Sequence, residues 1–226
     1  MIETKNITKS YTSGSVVTPV LHEINLTVPS GEFLAIMGKS GAGKSTLLYQ
    51  MSLLDIPTSG KIILDGTDTE KFSEKERTDF RLRRLGYVFQ DYALLPELSA
   101  IENVMLPLLM LGLSKKEAIN KATAALDSVG LAHRHSNRPS QLSGGEQQRV
   151  SIARAVGQTP DILFADEPTA NLDSASSQTV IEVMSNLHKK QGQTIVMVTH
   201  EREYALYADR IIYLEDGRII KEERPK

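Results

Sequence analysis

The sequence predicts an α/β fold in which buried strands and amphipathic helices alternate around one phosphate-binding loop. Two observations lead there. Gly38-Lys39-Ser40-Gly41-Ala42-Gly43-Lys44-Ser45-Thr46 matches G-x-x-x-x-G-K-[ST]. It lies between an apolar run, Phe33-Leu34-Ala35-Ile36-Met37, and a helical pattern opening at Ser45-Thr46-Leu47-Leu48. Two further apolar runs, at 161–165 and 194–199, have the length and composition of buried strands.

The elements follow in order. Residues 2–8 alternate weakly and read as an edge strand. Tyr11 follows in a polar loop, either as an aromatic free to stack on a base or as an ordinary strand-end tyrosine. Leu21, Ile24, Leu26 and Val28 mark a half-buried strand, and Pro29-Ser30-Gly31 turns the chain into the loop strand. Leu47, Leu48, Met51 and Leu54 are spaced to bury one helix face, and the helix breaks at 55–60, where Pro57 and Gly60 lie. Residues 61–66 read as a strand entering a turn. Residues 74–84 read as a charged helix whose arginines (Arg77, Arg81, Arg83, Arg84) form a solvated face diluted by Glu74, Glu76 and Asp79.

Residues 85–90 read as a strand ending at Gln90. The stretch 91–113 is apolar and interrupted by Pro96 and Pro107; irregular or short helical segments are expected, with Leu94, Leu95 and Leu98 either exposed for a partner or in the core. Ala118, Ile119, Ala122, Ala125, Leu126 and Val129 lie on one helix face. A second helix starts at Ser143-Gly144-Gly145 and runs through Val150, Ile152, Ala153 and Val156. Asn171 to Ser174 cap a helix over 175–190. Asp216-Gly217, between residues 210–214 and 218–221, signals a β-hairpin.

Composition bounds the function. The 226 residues suit one domain, or one domain with an inserted subdomain, and 40% are hydrophobic. A net charge of -2 does not suggest nucleic-acid binding by bulk charge. Without cysteine there is neither a disulfide framework nor a thiolate metal site. No run approaches the roughly 18 apolar residues of a membrane span, and the first residues are unlike a secretion signal, so a soluble cytoplasmic chain is expected.

The chemistry concentrates at strand ends. Glycines in the loop let successive N–H groups point at an anion, and the helix start adds partial positive charge. Lys44 supplies a point charge for the β/γ phosphates and Ser45 a hydroxyl for Mg²⁺. Asp166 and Glu167 end an apolar strand: one carboxylate can hold Mg²⁺, the other can orient and polarise a water. Gln90 can reach a metal or water, and His200, at the end of its strand, can donate to a γ-phosphate. Ser143-Gly144-Gly145 is a second anion site or a plain helix cap. His22, His133, His135 and His188 read as surface residues.

Taken together these segments resemble the ATP-binding subunits of ABC transporters, over about residues 2–220. The likeness rests on Tyr11, the loop 38–46, Gln90, the signature Leu142-Ser143-Gly144-Gly145-Glu146, Asp166-Glu167, Asp173 and His200. A narrower likeness to the MacB/LolD branch rests on Leu53 to Gly60, Tyr87 to Gln90, Leu95 to Val104 and Ala165 to Thr169. The sequence departs from the family at Lys39, Ala42 and Glu146, where Pro, Ser and Gln are more frequent; Lys39 adds a charge near the phosphates.

The resemblance implies a P-loop NTPase with a RecA-like core (about 1–90 and 151–226), an antiparallel β subdomain and a helical insert (about 91–150). It implies ATP and Mg²⁺ as cofactors, and an ATPase powering an integral membrane permease. Two subunits would sandwich two ATP, with Ser143, Gly144 and Gly145 acting across the interface on the nucleotide of the other subunit and Asp173 coupling the sites. It further implies Tyr11 against the adenine, Ser45, Gln90 and Asp166 at the metal, Glu167 as the base, and His200 on the γ-phosphate. The expected place is the cytoplasmic face of a bacterial membrane, with peptide, lipoprotein or drug-like amphiphiles as cargo and export as the expected direction. Alternatives are a cell-division or mechanotransmission ATPase that changes a membrane partner without moving cargo, a soluble ABC protein, and a P-loop kinase, which leaves the signature unexplained.

Overall fold

A six-stranded sheet carries the phosphate-binding loop. The computed structural model describes residues 1–225. The sheet is formed by β3 (Phe33–Met37), β6 (Leu85–Val88), β7 (Ile162–Asp166), β8 (Thr194–Val198), β9 (Arg210–Glu215) and β10 (Arg218–Glu223), in the order β10-β9-β3-β8-β7-β6. All neighbours are parallel except β9 and β10. Every residue of β3, β7 and β8 is buried. Their unbroken apolar runs are what a parallel sheet covered on both faces requires. Alternate side chains serve opposite faces: Leu34, Ile36, Phe164, Val196 and Val198 enter one core cluster, and Phe33, Ala35, Leu163, Ile195 and Met197 the other.

The first face is covered by α1 (Lys44–Met51) and by an antiparallel sheet. That sheet comprises β1 (Ile2–Ser13), β2 (Val16–Val28), β4 (Ser59–Leu64) and β5 (Thr67–Asp68), in the order β2-β1-β4-β5. β1 is therefore an interior strand, not the expected edge. Its alternation looks weak because Asn6 has a left-handed φ of 51° and the register shifts between Thr4 and Ile7, which resets the two-residue period.

The second face is covered by helices: α3 (Ala100–Met110), α4 (Lys115–Ser128), α5 (Gly144–Val156) and α6 (Ser174–Gln191). The stretch expected to hold irregular or short helical segments contains an eleven-residue helix, α3, with Pro107 inside it. Leu95 is exposed, but Leu94 and Leu98 are half-buried and Leu94 packs on the core. Two further helices are α2 (Glu74–Arg84) and the four-residue α7 (Arg202–Ala205).

Four expectations about burial need correction. α1 stops at Met51, Leu53 turns left-handed (φ 60°), and Leu54 is exposed, not packed. Arg77 leaves the solvated face and is 5% exposed, with Nη2 donating to the Thr69 carbonyl at 3.3 Å. Ile119 lies outside the packed face of α4. His188 is half-buried, with its ring edge-on to Phe33 and its Nε2 3.2 Å from Asp209.

The C-terminal hairpin clasps the loop. Asp216 (φ 44°) and Gly217 (φ 68°) form its turn. The Gly217 N–H donates to the Ala42 carbonyl at 3.1 Å, and the His22 N–H donates to the Gly217 carbonyl at 2.9 Å. Gly38 passes so close to β9 that a Cβ there would lie 2.2 Å from the Leu214 carbonyl oxygen.

Candidate active site

The loop between β3 and α1 leaves a helix start without a side-chain cap: the N-cap is Gly43, at φ 96°. By contrast α2, α3, α4 and α5 each begin with a Ser-x-x-Glu capping box, and Asp173 caps α6. The first N–H groups of α1 are therefore free to bind an anion, with the helix dipole favouring negative charge. They open into a cleft of about 580 Å³ lined by Ser40, Gly41, Gly43, Lys44, Ser45, Thr46, Gln90, Glu167 and Val20. Ala42 and Lys39 do not line it; Ala42 is buried, and the Lys39 side chain is exposed while its carbonyl accepts from Lys44 Nζ at 3.0 Å.

Lys44 is 6% exposed, and its Nζ lies 3.9 Å from Glu167 Oε1. Ser45 Oγ donates to Asp166 Oδ1 at 2.8 Å. Asp166 follows Phe164 by two residues on β7, so it shares the sheet face that α1 covers. Burial pushes the Asp166 carboxyl above its ordinary value; hydrogen bonds from Ser45 and Tyr49 oppose this, and the Glu167 charge adds to it. Ser45, Asp166 and Gln90 supply hard oxygen donors, the kind Mg²⁺ selects.

Glu167 stands just past β7 with a left-handed φ of 43°, its N–H held by the Val198 carbonyl at 3.0 Å. Non-glycine residues in this region cost on the order of 1–3 kcal/mol and cluster at functional sites. The carboxylate is aimed by two partners, Lys44 on Oε1 and His200 Nδ1 at 3.4 Å from Oε2. The His200 ring is largely exposed just beyond β8.

Gln90 sits two residues beyond the end of β6, on a loop held by side chains. Gln148 Nε2 donates to the Phe89 carbonyl (3.3 Å), Asn171 Nδ2 to that of Gln90 (3.1 Å), and the Arg154 guanidinium to those of Tyr92 (3.0 Å) and Ala93. Tyr92 and Ala93 are both left-handed, at φ 62° and 48°. Tyr11 lies at the end of β1 with its ring half exposed, and Ser143, Gly144 and Gly145 lie at the start of α5; none of these lines the cleft. Ser143 Oγ accepts from the Glu146 N–H at 3.3 Å, which leaves its own proton to donate.

A sequence-family profile described as "ABC transporter" matches residues 21–170. The chain belongs to the ABC transporter family. It is 47% identical over 220 residues to the lipoprotein-releasing system ATP-binding protein LolD of Geobacter metallireducens, covering 97% of this chain and 98% of that protein. It is 47% identical over 224 residues to the macrolide export ATP-binding/permease protein MacB of Campylobacter fetus, covering 99% of this chain and 35% of that protein. Its fold matches a dimeric post-hydrolysis structure of the ATP-binding cassette MJ0796 bound to ADP and Pi, with TM-score 0.93, 40% identity, and 100% and 99% of the two chains covered.

In this ABC ATPase, Lys44 and Ser45 at the start of α1 meet Asp166, Glu167 and His200 at or just beyond the C-terminal ends of parallel strands. Sequence reasoning missed four residues that shape the site. Val20 lines the cleft from β2, Tyr49 reaches Asp166 from α1, and Arg154 and Asn171 hold the Gln90 loop. Tyr49 alone left a readable signal, because it is one helical turn after Ser45.

Proposed function

We propose that this ABC ATPase divides the hydrolysis of ATP among the following residues. The free N–H groups of the loop (Gly38 to Thr46) and Lys44 hold the β and γ phosphates. Ser45, Gln90 and Asp166 would hold Mg²⁺, which would supply charge that neutralises the phosphates. Glu167 orients the attacking water and takes its proton, and His200 donates to the γ-phosphate. The observation that carries this reading is the Glu167 carboxylate held between Lys44 and His200 at the mouth of the cleft. Such a base positions the water and accepts its proton as the bond to phosphorus forms, and its loss typically costs ~10² to 10⁴ in rate.

Two copies close head to tail around two ATP, each offering Ser143, Gly144 and Gly145 to the partner's γ-phosphate and Asp173 to the opposite site. The chain forms one domain, with a helical insert at about 91–150, and works as a peripheral subunit at the cytoplasmic face of a bacterial membrane. Among the described residues no helix is long and apolar enough to cross a membrane, and the partner is an integral membrane permease. A groove lined by Leu54, Leu82, Leu106, Pro107 and Met110 supports permease docking. The names of the relatives favour lipoproteins or macrolide-like amphiphiles as cargo, moved outward. The test is Glu167→Gln: ATP binding persists, turnover falls by at least about 100-fold, and an ATP-bound dimer accumulates in size-exclusion chromatography. Turnover near that of the parent protein sinks the assignment of Glu167.

A further inference from the structure

Tyr11 is held from behind by a cluster that the hydrolysis chemistry does not use. Its hydroxyl donates to Asp55 Oδ2 at 3.0 Å, and Gln50 Nε2 donates to the same oxygen at 3.0 Å. Lys9, only 9% exposed, donates from Nζ to Asp55 Oδ1 at 2.8 Å and to the Ile56 carbonyl at 2.7 Å. The same Nζ lies over the Tyr11 ring, 4.9 Å from its centroid. All three ammonium donors thus have a target: a carboxylate, a carbonyl and a π-face. A register shift between Lys9 and Ser10 re-aims the strand at this point. The ring itself stays 43% exposed.

We propose that Lys9 and Asp55 are positioning residues that hold Tyr11 as a fixed platform for the adenine of ATP. This rests on the reading of Tyr11 as the ring that meets the base. The physical reason is twofold. Tethering the hydroxyl and the β1 backbone fixes the ring before the base arrives, so no side-chain freedom is lost on binding. A cation on one face withdraws electron density from the ring, which favours stacking of an electron-rich purine on the other face. Burial opposes ionisation of Asp55, but hydrogen bonds from Lys9, the Ile56 N–H, Tyr11 and Gln50 outweigh it and hold the carboxyl below its ordinary value. The platform is therefore charged and rigid at neutral pH.

The experiment compares ATP with inorganic tripolyphosphate, which offers the phosphates and no base. In the full chain, Lys9→Met should raise KM for ATP by about 2- to 5-fold, the lower end of what a cation–π contact contributes. The inhibition constant of tripolyphosphate should stay where it was, and Lys9→Arg should restore most of the loss. Tyr11→Ala should raise KM for ATP by about 10-fold or more. If Tyr11→Ala leaves KM for ATP unchanged, the ring does not meet the base and the proposal falls with that reading. If Tyr11→Ala raises KM while Lys9→Met does not, the ring stacks unaided and only the roles of Lys9 and Asp55 are overturned. Equal weakening of ATP and tripolyphosphate would mean a general structural defect and also overturns them. Should Lys9→Met fail to fold, Asp55→Asn carries the same comparison, with the same selective loss of ATP expected.

Discussion

Arg154→Met tests how the Gln90 loop is held. Two left-handed residues, Tyr92 and Ala93, cost on the order of 1–3 kcal/mol each, or roughly 2–6 together. The Arg154 guanidinium donates to both of their carbonyls, and charge-assisted bonds contribute about 1.5–3 kcal/mol each, or roughly 3–6 together. The two sums match, so the clamp sustains the strain and little is left over. Methionine keeps much of the aliphatic stem and removes the charge. The loop should then relax, which returns most of the lost bonding as relieved strain. Global stability in urea should fall by less than about 2 kcal/mol. Amide exchange at residues 90–93 should rise sharply, and turnover should fall because Gln90 loses its place at the cleft. A loss of roughly 4 kcal/mol or more, with turnover and amide protection at 90–93 unchanged, would refute the reasoning: the turn would be intrinsically stable and the arginine merely a structural contact.

Three further outcomes are expected. Arg210 holds Glu32 through two hydrogen bonds of 2.9 Å, both side chains being at most 10% exposed; Arg210→Met should cost about 3–5 kcal/mol in chemical denaturation, and adding Glu32→Gln should recover part of it. Gly38→Ala places a Cβ 2.2 Å from the Leu214 carbonyl and should abolish nucleotide binding or folding, read by calorimetry and circular dichroism. The lowered Asp55 carboxyl contributes stability that is present above the unfolded value of about 3.9 and is lost as pH falls through its lower folded value. The difference in Tm between the parent protein and Asp55→Asn should therefore hold constant above about pH 5 and shrink below about pH 4.

What could be read from the sequence was whatever is local. The 38–46 loop, the carboxylates closing β7 and the hairpin at Asp216-Gly217 each follow from a few adjacent residues, and so does the cap at Asp173. The ATPase family followed from the order of these pieces. Non-local geometry was hidden. Nothing near Asn6 announces that β1 would gain a second neighbour, since β4 lies more than fifty residues away. Arg77 looked solvated among charged neighbours, because the Thr69 carbonyl that receives it lies in the loop before α2, and nothing in the charge pattern shows that the loop folds back over the helix. Pro107 argued against a helix on propensity, yet packing of α3 on α4 and α5 overrides it. Arg154 went unremarked, its partners lying about sixty residues upstream.

The strand that leads into the phosphate loop has both sheet neighbours, β8 and β9, within residues 194–215, and the turn at Gly217 closes on Ala42. During synthesis the complete phosphate motif therefore leaves the ribosome long before it can adopt its shape. Nearly 150 residues of chain must follow before the first hydrogen bond across β3 and β8 can form. Such distant pairing is slow and leaves apolar segments uncovered meanwhile. A nascent chain stalled before residue 194 should neither retain nucleotide nor resist protease, while holding every residue of the loop. Competence to bind ATP thus arrives late, in the same step as closure of the fold, and a truncated product has no means of tying up nucleotide.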